Sequence, residues 1–276
     1  MKMKLGVVNV VATHMVEKYG YAGLQKKNLQ KILGPDVELV FDSGNNEGAG
    51  GENDIQTYGE VLYNPFFKSL DGKNILEKLY KLQEEGCDGV VISCTLDPLL
   101  KEARSLLDIP IVGTIEASIF SACMAGRKFS FLVHPERRCV EITEDLVSQY
   151  GLSSRMTPMV QASERYGELV YSAFNNPEIV RDEIVKGCKE VIEQGAHSVI
   201  LASTSLALLA TASGISEVPE YGAPVFDPLS VGALMVQYRV GLQRSLGIPP
   251  TSRAGVYKRF PAQFEKQVMK AFDFTC

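Results

Sequence analysis

The sequence lacks several features that would place it in a specialised class of protein. No run of basic residues is longer than two, and 28 Lys and Arg stand against 33 Asp and Glu. Because nucleic-acid binding needs basic patches that follow the phosphate backbone, we expect no nucleic-acid partner. No apolar run approaches the roughly 20 residues of a membrane-spanning helix, so we expect no membrane partner. The first apolar run, Leu5 to Asn9, is too short for a signal peptide, which favours a cytoplasmic location.

The chain also has little that would hold a metal ion. It contains three histidines and six cysteines, and no two cysteines form a CxxC pair. Zinc sites combine these residue types at short, regular spacing. We therefore expect no metal site, and reduced cysteines that mostly pack in the core.

What is present is typical of an α/β protein. Short β-branched runs alternate with amphipathic segments, which predicts parallel sheets covered by helices. The predicted strands are Lys4 to Val11, Val37 to Asp42, Gly89 to Ser93, Ile111 to Gly113, Phe129 to His134, Met156 to Val160, Ser198 to Ala202 and Val225 to Asp227. The predicted helices are Ile75 to Glu85, Pro98 to Leu107, Ser118 to Ala125, Glu136 to Tyr150, Asn176 to Gln194 and Val231 to Ser245.

An internal repeat divides the chain. The segment from Leu82 to Leu100 aligns without gaps on Val191 to Leu209, and Ile109 to Gly113 then aligns on Ala223 to Asp227. The repeat predicts two similar Rossmann-like α/β halves, related by a pseudo-twofold axis, with the site in the cleft between them. We assign residues 1–113 and 226–276 to the first half and residues 114–225 to the second.

The ends of the predicted strands supply the candidate site, because open α/β sheets bind ligands there. The repeat makes Cys94 and Ser203 equivalent, and each is predicted to lie where a strand turns into a helix, a position that favours a thiolate or a bound anion. Asp97 is predicted to contact a first helical turn rather than to act as an acid. The remaining strand-end candidates are Asn9, the run from Ser43 to Asn46, Thr95 and Glu116 in the first half, and His134, Gln161, Thr204 and Asp227 in the second.

A glycine-rich segment and two of the three histidines are further candidates for the site. The glycine-rich segment from Asp42 to Asn53 lacks the motifs of phosphate-binding loops, and it is interpreted either as a lid over a small substrate or as a plain connection. His14 and His134 follow strand ends on the side of the predicted site. His197 lies at the opposite end of its strand and is predicted to be structural.

Four segments carry a resemblance to a known family. They are Gly86 to Pro98, Asp108 to Ala117, Gly195 to Thr204 and Ser252 to Tyr257. Over nearly its whole length the chain resembles the aspartate/glutamate/hydantoin racemase superfamily, most closely the hydantoin and allantoin racemase branch. Asn9 and Thr13 stand where that family has an Asn and a hydroxyl residue after its first strand.

The resemblance implies a cofactor-independent enzyme. Its usual members use one cysteine from each half as opposed acid and base groups on the two faces of an α-carbon. Cys94 fits the first of these positions, whereas Ser203 stands at the second. A serine hydroxyl is not a base near neutral pH unless a neighbour activates it. Three explanations stay open: a natural one-cysteine enzyme that decarboxylates or isomerises, a second base such as His134, or an engineered replacement of cysteine by serine.

The function expected from the sequence is a racemase or isomerase that uses thiol acid/base chemistry on a carbon acid, either hydantoin-like or amino-acid-like. Its substrate would be a small carboxylate or imide, and we expect a homo-oligomer. Catalysis is assigned to Cys94 and Ser203. Substrate binding is assigned to Asn9, Ser43, Asn45, Thr95, Glu116, His134 and Thr204. The alternatives are a one-cysteine decarboxylase of a substituted malonate and a non-catalytic protein that binds a small anion.

Overall fold

The computed structural model describes residues 2–12, 17, 19–44 and 63–274, which form two sheets. The first sheet contains β1 (Met3–Ala12), β2 (Val37–Gly44), β3 (Gly89–Ser93) and β4 (Ile111–Gly113) in the order β2-β1-β3-β4, all parallel. The second contains β5 (Ser130–Val133), β6 (Val160–Gln161), β7 (Val199–Ala202), β8 (Glu217–Val218) and β9 (Ala223–Phe226). Its order is β6-β5-β7-β9-β8, with only β8 antiparallel to its neighbour. The predicted α/β class with two mostly parallel sheets is confirmed.

Helices connect and cover these strands. In the described residues they are α1 (Tyr21–Leu33), α2 (Pro65–Glu84), α3 (Leu100–Leu106), α4 (Thr114–Ala125), α5 (Arg137–Gln149), α6 (Glu164–Ala173), α7 (Arg181–Glu193), α8 (Thr204–Ala212), α9 (Pro228–Leu246) and α10 (Ala262–Ala271). The sequence patterns do not predict α1, α6 or α10. They also place the start of α2 at Ile75, whereas Asn64 caps this helix at Pro65 by accepting the N–H groups of Phe66 and Phe67.

The strand register supports the internal repeat. Val90 of β3 pairs with Ile111 of β4, and the residues aligned with them, Val199 and Val225, pair in the same way in β7 and β9. The helices that follow β4 and β9 are therefore equivalent, and these two helices, α4 and α9, pack against each other. Helix α9 also packs on β3 and β4, and α4 contacts β7, so the pair joins the two sheets. The division of the chain at residues 113 and 226 stays a prediction.

Two arginines attach the C-terminal segment to the end of α3. Arg253 donates to the carbonyl oxygens of Arg104 at 2.9 Å and Leu107 at 2.5 Å, and Arg259 donates to that of Ser105 at 3.3 Å. Both also pair with Asp108. The last carbonyl groups of a helix have no partners within it, and cations there interact favourably with the helix dipole. The C-terminal segment that carries these two arginines therefore holds α3, the helix that follows the loop after Cys94.

Close packing between β3 and α9 gives a test of this arrangement. A Cβ atom added at Gly89 would lie 2.6 Å from Val236 Cγ1 and 3.2 Å from the Pro110 carbonyl oxygen. We expect Gly89→Ala to lower the free energy of unfolding by about 1–3 kcal/mol, since neither the helix nor the backbone can move away freely. Urea unfolding followed by circular dichroism measures this change.

Gly241→Ala, on the helix α9 that packs against Gly89, is the matched control. Among the described residues, no atom lies within 4 Å of a Cβ atom added there. We expect this variant to gain up to about 1 kcal/mol from the better helix propensity of alanine. A Gly89→Ala variant as stable as the parent protein would contradict the packing described.

Candidate functional site

Cys94 lies directly after β3 and is 6% exposed. It does not begin a helix, contrary to the sequence prediction, because α3 begins only at Leu100. Asp97 and Leu99 in the intervening loop have positive φ angles of 41° and 57°, which a helix does not tolerate. The dipole of α3 therefore does not act directly on the thiol.

Asp97 binds the start of a different helix. Its Oδ2 accepts the N–H of Glu116 at 2.7 Å and its Oδ1 accepts that of Ile115 at 3.1 Å, both in the first turn of α4. A Cβ atom at Gly113 would lie 2.5 Å from the Asp97 Cγ, so this close approach requires glycine. The prediction that Asp97 contacts a first helical turn is correct in kind, but the turn belongs to α4.

The surroundings of Cys94 keep its thiol protonated. Burial, with a smaller contribution from the nearby charge of Asp97, raises the pKa of Cys94 to about 12, while the Leu96 backbone and Lys68 on α2 act in the opposite direction. These effects oppose the predicted thiolate, and the predicted binding of an anion at this position stays a prediction. At neutral pH the group is a proton donor.

Tyr21 joins the two halves at the ends of their strands. The side chains of Ser93, next to Cys94, and of Thr204, next to Ser203, both lie close enough to the Tyr21 hydroxyl to lower its pKa. Burial raises the pKa of Tyr21 above its ordinary value. Two turns of α1 further on, Asn28 donates to the carbonyl oxygen of Leu208 in α8 at 3.0 Å. Helix α1 thus contacts both the residue before Cys94 and the helix that follows Ser203.

Asn9 is buried in β1, where it pairs with the last residue of β3, and its side chain is held by a glutamine. The Asn9 and Gln25 side-chain amides exchange two hydrogen bonds of 3.0 and 2.8 Å, and Gln25 also donates to Ser93 Oγ at 2.8 Å. Gln25 is fully buried. This amide pair fixes the Asn9 side chain beside the strand end that leads into Cys94.

Ser203 belongs to a chain of hydroxyl groups in the second half. It occupies the N-cap position of α8, yet its side chain does not cap the helix. Its Oγ lies 2.8 Å from Ser205 Oγ, which also accepts the Tyr166 hydroxyl at 3.0 Å. Ser203 is 8% exposed and Tyr166 1% exposed. The Ser203 hydroxyl is therefore connected, through Ser205, to a buried phenol.

His134 follows β5 beside Ser203. Val133 pairs with Ala202, so the residues after them, His134 and Ser203, leave adjacent strands at the same edge of the sheet. The His134 Nδ1 atom is buried and has no hydrogen-bond partner among the described residues. Burial lowers the pKa of His134, although Glu136 acts in the opposite direction, so the imidazole is neutral near pH 7.

The other predicted residues are less central. Glu116 forms an ion pair with Arg104, whose Nη1 lies 2.9 Å from Glu116 Oε1. The charge of its carboxylate is therefore neutralised by an arginine. Ser43 lies opposite Asn9 in the sheet register, and Thr95 is buried. Gln161 is exposed, and Asp227 caps α9 through the N–H groups of Leu229 and Ser230. Asn45, Thr13, His14 and most of the segment from Asp42 to Asn53 lie outside the described residues.

Sequence reasoning missed four polar residues of this region. They are Tyr21, Gln25, Tyr166 and Ser205. Tyr21 and Gln25 lie on α1 and Tyr166 lies on α6, two helices that were not predicted. Of the four, only Ser205 could have been found from the sequence, because it lies inside the repeat and places a hydroxyl two residues after Ser203.

Changing Asp97 tests its effect on the thiol. We expect Asp97→Asn to lower the pKa of Cys94, because the charge that raises it is removed, and to destabilise the protein by about 1 kcal/mol, because an amide accepts only one of the two N–H groups well. The rate of iodoacetamide alkylation at Cys94, read by peptide mass spectrometry at pH 9, measures the first effect. Asp36→Asn, an exposed change, is the control. An unchanged alkylation rate in Asp97→Asn would contradict the electrostatic account.

Over the part of the chain that the structure describes, no group of three or more His, Cys, Asp or Glu side chains is arranged to hold a metal ion. In the same residues, no helix is both long and apolar enough to span a bilayer.

Comparison with known proteins agrees with the geometry. The family model for Asp/Glu/hydantoin racemases matches residues 61–236. A hydantoin racemase of Pseudomonas sp. (strain NS671) is 33% identical over 246 residues, covering 83% of this chain and 90% of that protein. One from Paenarthrobacter aurescens is 29% identical over 202 residues, covering 72% and 79%. The structure of allantoin racemase from Klebsiella pneumoniae superposes with a TM-score of 0.68 at 22% identity, covering 95% and 97%. The chain therefore belongs to the Asp/Glu/hydantoin racemase family of enzymes.

Proposed function

We propose that the protein is a cofactor-independent racemase of a hydantoin-like carbon acid, with Cys94 as the proton-transfer group on one face of the α-carbon. The observation that carries this proposal is the pair of groups at the strand ends of the two halves. One is a buried thiol, and the other is an imidazole whose buried Nδ1 lacks a partner among the described residues. Helix α1 bonds to the end of β3 through Gln25 and to α8 through Asn28, and α8 follows β7, the neighbour of the strand that precedes His134. The hydantoin racemases to which the chain is similar support the choice of substrate class.

In this mechanism Cys94 and His134 share one transferable proton. The resting pair is a protonated thiol and a neutral imidazole, as the directions of their pKa shifts require. The imidazole takes the α-proton of one enantiomer, and the electron pair of the broken C–H bond moves into the adjacent carbonyl group as an enolate. The Cys94 thiol then gives its proton to the other face of the carbon. The thiolate and imidazolium that remain act on the opposite enantiomer, or return to the resting pair by proton exchange with water.

Lys68 suits a substrate that becomes anionic during this reaction. Its ammonium group acts electrostatically on Cys94. Near the reacting carbon, a cation would stabilise both the enolate and the thiolate that forms with it. The substrate-binding assignments of Asn9, Thr95, Thr204, Glu116, Ser43 and Asn45 stay predictions, as do a cytoplasmic location and a homo-oligomer.

Deuterium exchange with each enantiomer of a 5-monosubstituted hydantoin tests the assignment of the two faces. We expect the parent protein to racemise both enantiomers with incorporation of solvent deuterium at the α-carbon. Cys94→Ser and His134→Gln should each reduce racemisation by roughly 10²–10⁴-fold, the usual contribution of a placed acid or base. Residual exchange should persist for opposite enantiomers in the two variants.

The chain offers matched controls for both changes. Cys123 is a partly exposed cysteine, and His197 lies at the far end of β7, where its Nδ1 accepts the N–H of Arg127 at 3.4 Å. Cys123→Ser and His197→Gln should keep the parent rates. Racemisation by His134→Gln within threefold of the parent rate would reject His134 as the second base.

The pH dependence of kcat/KM gives an independent test. The active pair needs neutral His134, whose pKa is lowered, so activity should fall only as the pH drops below about 6.5. It also needs the protonated Cys94 thiol, whose pKa is about 12, so no alkaline decline should appear below about pH 10. The charge of Asp97 adds to the rise at Cys94, whereas Lys68 opposes it and Glu136 opposes the fall at His134. A rate that rises tenfold per unit between pH 7 and 9 would show that the thiolate is the reactive resting form.

One observation favours a second candidate function. A protonated Cys94 opposite a serine is suited to a decarboxylase, because loss of carbon dioxide itself creates the carbanion and only a proton donor is then needed. Release of carbon dioxide from a substituted malonate, with no exchange of hydantoin α-protons, would favour this alternative. A non-catalytic anion-binding protein is the weaker alternative, because the chain belongs to a family of enzymes.

A further inference from the structure

We infer that Tyr166 and Ser205 are positioning residues that orient the Ser203 hydroxyl as a hydrogen-bond donor to the substrate oxygen that gains charge. This inference rests on the proposed function, because it names the oxygen of the enolate as the partner of Ser203. It assigns the Ser203 hydroxyl a role different from that of the cysteine that the family resemblance implies at this position.

The three oxygens form a chain that runs from the core to the strand end. Tyr166, on α6, is 1% exposed and packs among the core residues of the second half. Its hydroxyl donates to Ser205 Oγ at 3.0 Å, and Ser205 Oγ lies 2.8 Å from Ser203 Oγ. Ser203 is the member of the chain that follows β7 directly.

The buried end of the chain favours one direction. The Tyr166 hydroxyl donates a hydrogen bond to Ser205 and leaves the Ser205 proton free for another partner. Either oxygen can donate in the contact between Ser205 and Ser203. In the arrangement that we infer, Ser205 donates to Ser203, and the Ser203 proton points away from Ser205. Hydrogen bonds in such a chain polarise one another, which makes the terminal O–H a better donor.

A donor is what this position requires if His134 is the base. A hydroxyl does not ionise near neutral pH, so Ser203 cannot compete with the imidazole for the α-proton. A fixed donor aimed at the oxygen of an enolate, by contrast, lowers the transition-state energy in a site that excludes water. The same hydroxyl chain also argues that Ser203 is the native residue rather than an engineered replacement, since Ser205 and Tyr166 provide partners for it.

A double-mutant cycle separates positioning from a purely structural effect. We expect Ser203→Ala to reduce kcat by roughly 10²-fold, as the loss of an oxyanion donor does, with a smaller change in KM. Tyr166→Phe and Ser205→Ala should each reduce kcat by about three- to tenfold. If they act through Ser203, each should change kcat by less than about twofold when added to Ser203→Ala. Ser130→Ala is the control, because this buried serine bonds Thr157 and Pro158 carbonyl oxygens at the other end of β5.

A second measurement does not depend on turnover. In Ser203→Cys the introduced thiol should accept the Ser205 hydrogen bond, which stabilises its thiolate. Adding Ser205→Ala or Tyr166→Phe should then raise the pKa of that thiol by roughly half to one unit, the equivalent of one hydrogen bond. Absorbance of the thiolate against pH reads this shift, and Cys94 does not interfere because its pKa is about 12. Circular dichroism spectra and melting temperatures confirm that each variant is folded.

The outcomes distinguish the two proposals. A parent protein that neither racemises nor exchanges hydantoins would reject the proposed function, and the thiol shift would still decide whether the chain polarises position 203. The positioning role would be overturned if Tyr166→Phe lowered kcat by the same factor in the parent protein and in the Ser203→Ala variant, or if the thiol pKa did not move. The expected result is non-additive loss of kcat together with the thiol shift.

Discussion

The hydrogen bonds between the Asp97 carboxylate and the first turn of α4 hold the site together. They connect the loop that carries Cys94 to the helix that packs between the two halves. Thr114, the first residue of α4, adds a bond to the carbonyl oxygen of Cys94 at 2.9 Å. A buried carboxylate without partners would cost several kcal/mol, but here backbone N–H groups at a helix start satisfy it. The strained backbone at Asp97 is maintained because these contacts depend on it.

The same carboxyl group influences the chemistry. Burial raises the pKa of Asp97 to about 7, so its charge changes in the range where the enzyme would work. When Asp97 is ionised it raises the pKa of Cys94, and when it is protonated that influence disappears. A single residue thus links the position of the Cys94 loop to the ease with which its thiol releases a proton.

Much of the fold could be predicted from the sequence, because the repeat of a parallel sheet preserves its register. Both Gly89 to Ser93 and Ile111 to Gly113 have the predicted bounds, and the aligned strands pair as the repeat requires. Helix α1 was missed for a physical reason. Its buried face includes Gln25 and Asn28, whose amides bond to Asn9 and Leu208, and these polar residues interrupt the apolar periodicity that identifies helices.

The candidate site was predictable only in part. Cys94, Ser203, Asn9 and His134 were chosen as candidates from their places at predicted strand ends, because parallel strands bring their carboxyl ends to one edge of a sheet. The ionisation of Cys94 was not predictable, since it depends mainly on how deeply the folded chain buries the thiol. The partner of Glu116 was missed as well: Arg104 is 12 residues away in sequence, and the ion pair forms only when α3 and α4 are in place.

The two halves have kept one fold and diverged in chemistry. In the first half, burial leaves a thiol that holds its proton. In the second half, the hydroxyl groups of Ser203 and Ser205 follow β7, and the neutral imidazole of His134 follows the adjacent strand β5. A pair of thiols on a symmetric scaffold needs one of them ionised at rest, and two buried thiols with raised pKa values would rarely provide that state. A thiol paired with an imidazole of lowered pKa is ready without any charged group at rest. Burial, which would disable a symmetric pair of thiols, therefore suits the asymmetric pair that we propose.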